Sequence, residues 1–137
     1  MNLFVQIYPQ PDVPCPQSFE GLVEAMQGLP GMYFEMDGSF VWVDHACNPA
    51  KQMDAMVYDR DGRLAYVEVK GDCSPYQWLL LCRAICMLPV EPKELLSKPS
   101  DGAPSWAMLD KLLRIHEVSL GNWVTASHIA DLLVKAN

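Results

Sequence analysis

No stretch of this sequence gathers lysine and arginine. Ten basic residues face 17 acidic ones, for a formal charge of −7, and Lys93, Lys98, Lys111, Arg114 and Lys135 are scattered. A chain of that sign repels nucleic acid and anionic membrane at long range, so general nucleic-acid binding is disfavoured. Long apolar runs are missing as well. A bilayer span needs about 20 apolar residues. The longest candidate, "WLLLCRAICMLPV", is interrupted by Arg83 and stopped by Pro89. The start, "MNLFVQIYPQPDVP", lacks the basic residues and the apolar length of a signal peptide. These absences lead to the expectation of a soluble, cytoplasmic protein with no membrane partner.

Catalytic signatures are scarce. There is no G-x-x-x-x-G-K loop, no dinucleotide fingerprint and no glycine elbow around a serine. His45, His116 and His128 lie in unrelated segments. The five cysteines are an odd number and include no C-x-x-C, which fits a reducing compartment better than a disulfide framework. Cys82 and Cys86 could chelate a soft metal from one helix face, but their apolar neighbours favour packing. "VDHACNP" brings Asp44, His45 and Cys47 together, with Cys73 able to approach; these are zinc-compatible ligand types. A loop histidine and a half-buried thiol is the plainer reading. "VTASHIADLL" resembles one helix of a helix-turn-helix, yet the charge argues for an ordinary amphipathic helix.

What remains is a globular composition: 137 residues, half of them apolar and 20% charged. That length suits one domain with a real core. Residues 2–8 read as a strand, followed by the proline-rich "PQPDVPCP". Ser18 caps a helix carrying Phe19, Leu22, Val23 and Met26. "MYFEMDGSFVWV" reads as a hairpin around Asp37-Gly38, with Tyr33 opposite Trp42 and Phe34 opposite Val41. A second hairpin, "QMDAMVYDRDGRLAYVEVKG", follows at 52–71. Ser74, Pro75 and Gln77 then form a capping box at the head of a buried helix over 75–87.

Residues 89–104 read as a Pro-rich loop around one helical turn, "PKELLS". The helical segment 105–137 completes the expectation, with one helix over 106–116 capped by Ser105 and another after Thr125. The fold class is α+β: an antiparallel sheet built from two hairpins plus an N-terminal strand, with helices on at least one face. The whole of 1–137 is one domain, with its α+β core in 1–88.

Three polar residues stand out in the second hairpin. A three-residue loop at Arg60-Asp61-Gly62 pairs Asp54 with Glu68 and sets Lys70 opposite Gln52 on the same face. Met53, Ala55, Val57, Ala65, Val67 and Val69 then form the core side. Two facing carboxylates repel by up to about 1 kcal/mol, which a divalent metal or the Lys70 ammonium would offset. Asp54 with Glu68-Val69-Lys70 resembles the catalytic hairpin of the PD-(D/E)xK nuclease superfamily, over about 20 residues. The resemblance implies magnesium held by Asp54 and Glu68, water oriented by Lys70, and a further acid from Glu20 or Glu24 on the preceding helix. Met53 stands where that family often has proline, and the basic substrate channel is missing.

The face that carries these acids also carries Met56, Tyr58, Leu64 and Tyr66. Exposed patches of this kind mark dimerisation or ligand contact. The leading expectation is a small cytoplasmic binding domain without catalysis or cofactor, with a protein partner or a second copy on that patch. A magnesium-dependent nuclease using Asp54, Glu68 and Lys70 is the alternative.

Overall fold

The computed structural model describes residues 1–13, 15, 17–90 and 99–136, of which 99–105 are described by their backbone only. The chain runs β1 (Leu3–Pro9), α1 (Phe19–Met26), β2 (Met32–Phe34), β3 (Ser39–Asp44), β4 (Lys51–Arg60), β5 (Arg63–Gly71) and α2 (Pro75–Ile85). It continues through α3 (Pro99–Leu112), β6 (Leu113–Glu117), β7 (Asn122–Val124) and α4 (Ala126–Ala136). All seven strands form one antiparallel sheet, in the order β2-β3-β4-β5-β1-β6-β7. No helix among the described residues is long and apolar enough to cross a membrane.

The helices lie on one face of this sheet, as the alternation of the strands requires. Leu3, Val5 and Ile7 of β1, Phe40 and Trp42 of β3, Met53 of β4 and Val67 and Val69 of β5 point inward. They meet Leu22 and Met26 of α1, Trp78, Leu81 and Cys82 of α2, and Ile129 and Leu133 of α4. Both expected N-caps on the first two helices are present. Ser18 accepts from Gly21 N–H. Ser74 and Gln77 exchange both bonds of the capping box, at 3.1 and 3.0 Å. Gln77 is fully buried, and its remaining amide donates to the Trp42 carbonyl, which fastens the head of α2 to β3.

The C-terminal segment differs from its expected form. The helix starts at Pro99 and ends at Leu112, and Leu113–Glu117 is a strand paired with β1. Leu109, Leu112 and Leu113 fit a helical stripe, but Leu113 and Ile115 also alternate with Arg114 and His116. Beside the free edge of β1 the alternation wins, because it buries Leu113 and Ile115 completely enough to close the core. Residues 105–137 are therefore not all helical, and 99–104 belong to a helix rather than a loop. The helical turn expected at "PKELLS" falls outside the described residues.

Both hairpin registers shift from expectation, the first by one residue and the second by one at its turn and two beyond a bulge. Asp61 and Gly62 both take positive φ, 54° and 82°, so the second hairpin turns on two residues and pairs Arg60 with Arg63. In the first, only Gly38 has positive φ. Asp37 stays outside that region because its carboxylate accepts from both the N–H and hydroxyl of Ser39. Those bonds hold the Asp37 carboxyl below its usual range. Phe34 consequently pairs with Phe40 and Met32 with Trp42.

A bulge follows the second turn: Asp59 pairs with Leu64, but Tyr58 pairs with Tyr66. Ala65 is the extra residue, so Leu64 and Val67 both face inward. Leu64 is buried and its N–H is held by the Gln17 carbonyl. It belongs to the core, not to the expected patch, and Ala65 leaves the core side.

Gly71 ends β5 with φ of 112°, where a side chain is strained, and a Cβ there would run into the Gln52 carbonyl oxygen. Gly71→Ala should cost about 1–3 kcal/mol, read as a lowered urea midpoint at unchanged slope.

Candidate functional site

The second face of the sheet has no helix on it among the described residues. It is built by the alternate residues of the same strands. One row runs Ser39, Met56, Glu68, Gln6, His116, Trp123 across β3, β4, β5, β1, β6 and β7. A second row carries rings. Tyr58 stacks on Tyr66 at 4.4 Å between centroids, and Tyr66 stacks on Tyr8 at 4.9 Å, both with interplanar angles of 17°. Trp123 meets Tyr8 edge-on at 5.4 Å. The Arg114 guanidinium lies 4.1 Å from the Trp123 ring centroid.

Tyrosines on adjacent strands can stack in this way because the strand spacing of about 4.8 Å falls within the centroid separation of offset-stacked rings. The stack uses up the π-faces between its members. What it offers outward is ring edges and hydroxyls. Burial, Tyr66 and Glu68 raise the Tyr8 hydroxyl above its usual value, and burial and Glu68 raise that of Tyr58. Both therefore remain protonated donors at neutral pH. The Tyr8 hydroxyl donates to Gln6 Oε1 at 3.1 Å.

Asp54, Glu68 and Lys70 share this face, but not in the expected pairing. Asp54 is opposite Lys70, and Glu68 is opposite Met56. The two carboxylates are diagonal neighbours. Gln6 Nε2 donates to Glu68 Oε2 at 3.0 Å, while Lys70 Nζ lies 3.9 Å from Glu68 Oε1 and 4.7 Å from the Phe4 ring. Gln52 Nε2 donates to Asp54 Oδ1 at 3.0 Å. The acids are satisfied by Gln6, Gln52 and Lys70 rather than gathered around a shared point. Among the described residues no group of three or more His, Cys, Asp or Glu side chains is placed to hold a metal ion. This geometry is a poor fit to magnesium.

Of the expected interaction residues, Met56, Tyr58 and Tyr66 lie on the open face and Leu64 does not. The sequence reading missed Tyr8, Gln6, Arg114, His116 and Trp123. The alternation of Leu3, Val5 and Ile7 with Phe4, Gln6 and Tyr8 was a usable signal for two of them. The other three depend on β6 and β7, whose strand character the leucine stripe obscured.

Arg114 is distinctive. Its Nε is buried without a hydrogen-bond partner, and no acid among the described residues pairs with it. A donor in that state costs free energy until an acceptor arrives.

The cysteine and histidine cluster does not assemble into a metal site. Cys73 is buried, which pushes its thiol up to about 12. His45 is exposed, and the Asp44 carboxylate accepts from the Ser74 hydroxyl at 2.7 Å and the Ala46 N–H at 3.0 Å. Cys82 is fully buried and its thiol raised well above the ordinary value, and burial takes Cys86 up to about 12. All five cysteines are free thiols. No family model matches this chain, and no curated protein or solved structure matches it significantly.

Proposed function

We propose that this chain is a small cytoplasmic binding domain that associates with a second copy of itself through the open sheet face, without catalysis. The observation that carries the reading is the row Tyr58–Tyr66–Tyr8–Trp123, uncovered and ending beside an Arg114 that lacks an acid partner. Tyr, Trp and Arg are the residue types that anchor protein interfaces. Because the tyrosine faces are already stacked, the surface suits a protein's edges and acceptors better than a base or sugar ring.

The face is also self-complementary. Asp54 and Tyr58 lie on the open side of β4, while Arg114 and His116 lie on β6, with β5 and β1 between them. A twofold axis along the strands, over β5 and β1, lays β6 of each copy across β4 of the other. Arg114, in one row with Tyr8, Tyr66 and Tyr58, then lies across the second copy's Tyr58 ring. With the axis there, β3 to β7 of the two copies overlap, and five strand gaps of about 4.8 Å with strands of about 20 Å give a footprint near 480 Å². That is below the roughly 800 Å² per partner of a standard interface and suits a weak, concentration-dependent dimer. Sedimentation velocity from micromolar to sub-millimolar protein tests the reading: a monomer–dimer equilibrium is expected, and a monomer throughout would remove it.

A second reading has one observation in its favour. Asp54, Glu68 and Lys70 share the open face, as a PD-(D/E)xK-type magnesium site would need. It predicts a magnesium-dependent rise in melting temperature that Asp54→Asn abolishes. No rise in the parent at millimolar metal would dismiss it.

A further inference from the structure

A cavity of about 470 Å³ lies at the far end of the molecule, between the end of β3 and the head of α2. We propose that this cavity binds a small organic ammonium ion with an apolar body, seated on the Asp44 carboxylate. Its volume is ordinary for a small-molecule site. Pro30, Trp42, Pro75 and Tyr76 form apolar and aromatic walls, and Asp44 and Cys47 supply the polar end.

The chemistry of the ligand follows from what Asp44 has and lacks. Neutral donors fix its orientation: the Ser74 hydroxyl and the Ala46 N–H. Ser74 is itself locked by the capping box, so the carboxylate is held in one place. No cation balances it. Lys51 is its cross-strand neighbour, but the Lys51 ammonium is engaged by Asp72 at 3.1 Å. Among the described residues no Lys, Arg or His pairs with Asp44. A half-buried carboxylate beside apolar walls and without a counter-charge selects a cation over a neutral donor, and rejects an anion. The Trp42 and Tyr76 rings, 6.3 Å apart and edge-on to each other, add cation–π attraction at the same end. The Tyr76 hydroxyl has no protein partner among the described residues and can accept from the ammonium. None of these residues belongs to the open sheet face, so this inference does not depend on self-association.

Three probes of one shape decide it: phenethylamine, phenethyl alcohol and 3-phenylpropionate, each titrated into the full chain and followed by amide NMR. The amine should shift resonances at 42–47 and 74–76 and bind about tenfold or more tighter than the alcohol, as a charge-assisted hydrogen bond gives. The propionate should not bind. Asp44→Asn should bring amine and alcohol to equal affinity. Equal binding of amine and alcohol to the parent, shifts outside the two segments, or no amine binding at tens of millimolar would each overturn the proposal. Those comparisons on the parent decide it even if Asp44→Asn fails to fold.

Discussion

Tyr66→Glu should weaken self-association by on the order of 100-fold, leaving a monomer at concentrations where the parent is dimeric. Tyr66 is the middle ring of the stack, 4.4 Å from Tyr58 and 4.9 Å from Tyr8, so its loss removes both contacts at once. The new carboxylate would stand on the same face as Glu68, whose oxygens are already engaged by Gln6 and Lys70. A partner covering it would bury an unpaired charge, which costs several kcal/mol unless the copies separate. Tyr66→Phe keeps the stack and should change the dissociation constant only a few-fold. Because Tyr66 lies away from the helix-covered core, the glutamate variant should melt within a few degrees of the monomeric parent. A large fall in melting temperature together with the loss of the dimer would point to unfolding instead.

Trp78→Ala should remove about 3–5 kcal/mol of folding stability, the largest effect expected from any single truncation in the core. Trp78 is fully buried in α2, and its indole Nε1 donates to the Ala126 carbonyl at 3.0 Å. The substitution opens a cavity under the sheet. It also removes the indole's hydrogen bond to a carbonyl in the first turn of α4, so packing and a hydrogen bond are lost together. Domains of this size hold only about 5–15 kcal/mol in total. Urea unfolding should show a much lower midpoint at similar slope. Trp123→Ala is the contrasting change: half-exposed on the open face, it should cost about 1 kcal/mol or less in stability while weakening association.

The two tryptophans also mark how much of the fold was legible in the chain. Trp78 sits in a segment whose cap, proline and apolar run all agree, so its helix and its burial follow from local chemistry. The sheet faces were legible for the same reason, because period-two alternation survives a shift of register. The register itself was not. Asp-Gly occurs in both hairpins, and which turn each adopts depends on the next residue. Ser39 gives the Asp37 side chain two donors and keeps it out of the left-handed region, whereas Asp61 is followed after Gly62 by Arg63 and enters it.

That difference and the bulge at Ala65, one residue each, moved Asp54 from Glu68 to Lys70, and the turn sent Leu64 into the core. Trp123 and Arg114 were hidden for another reason. Leu113–Glu117 can satisfy a helical or an extended pattern, and only its position beside β1 decides between them. Half of the candidate interface was therefore a product of long-range pairing, which no local window contains.

The claim that a second copy covers the tyrosine row is tested most directly by hydroxyl-radical footprinting of the parent across the sedimentation range. Met36 and Tyr33, both strongly exposed at the other end of the sheet, serve as internal references. Oxidation of Tyr58, Tyr66 and Trp123 should fall as protein concentration rises, while Met36 and Tyr33 stay constant. Oxidation of the row that is the same at every concentration, or protection that appears on the references instead, would contradict the account.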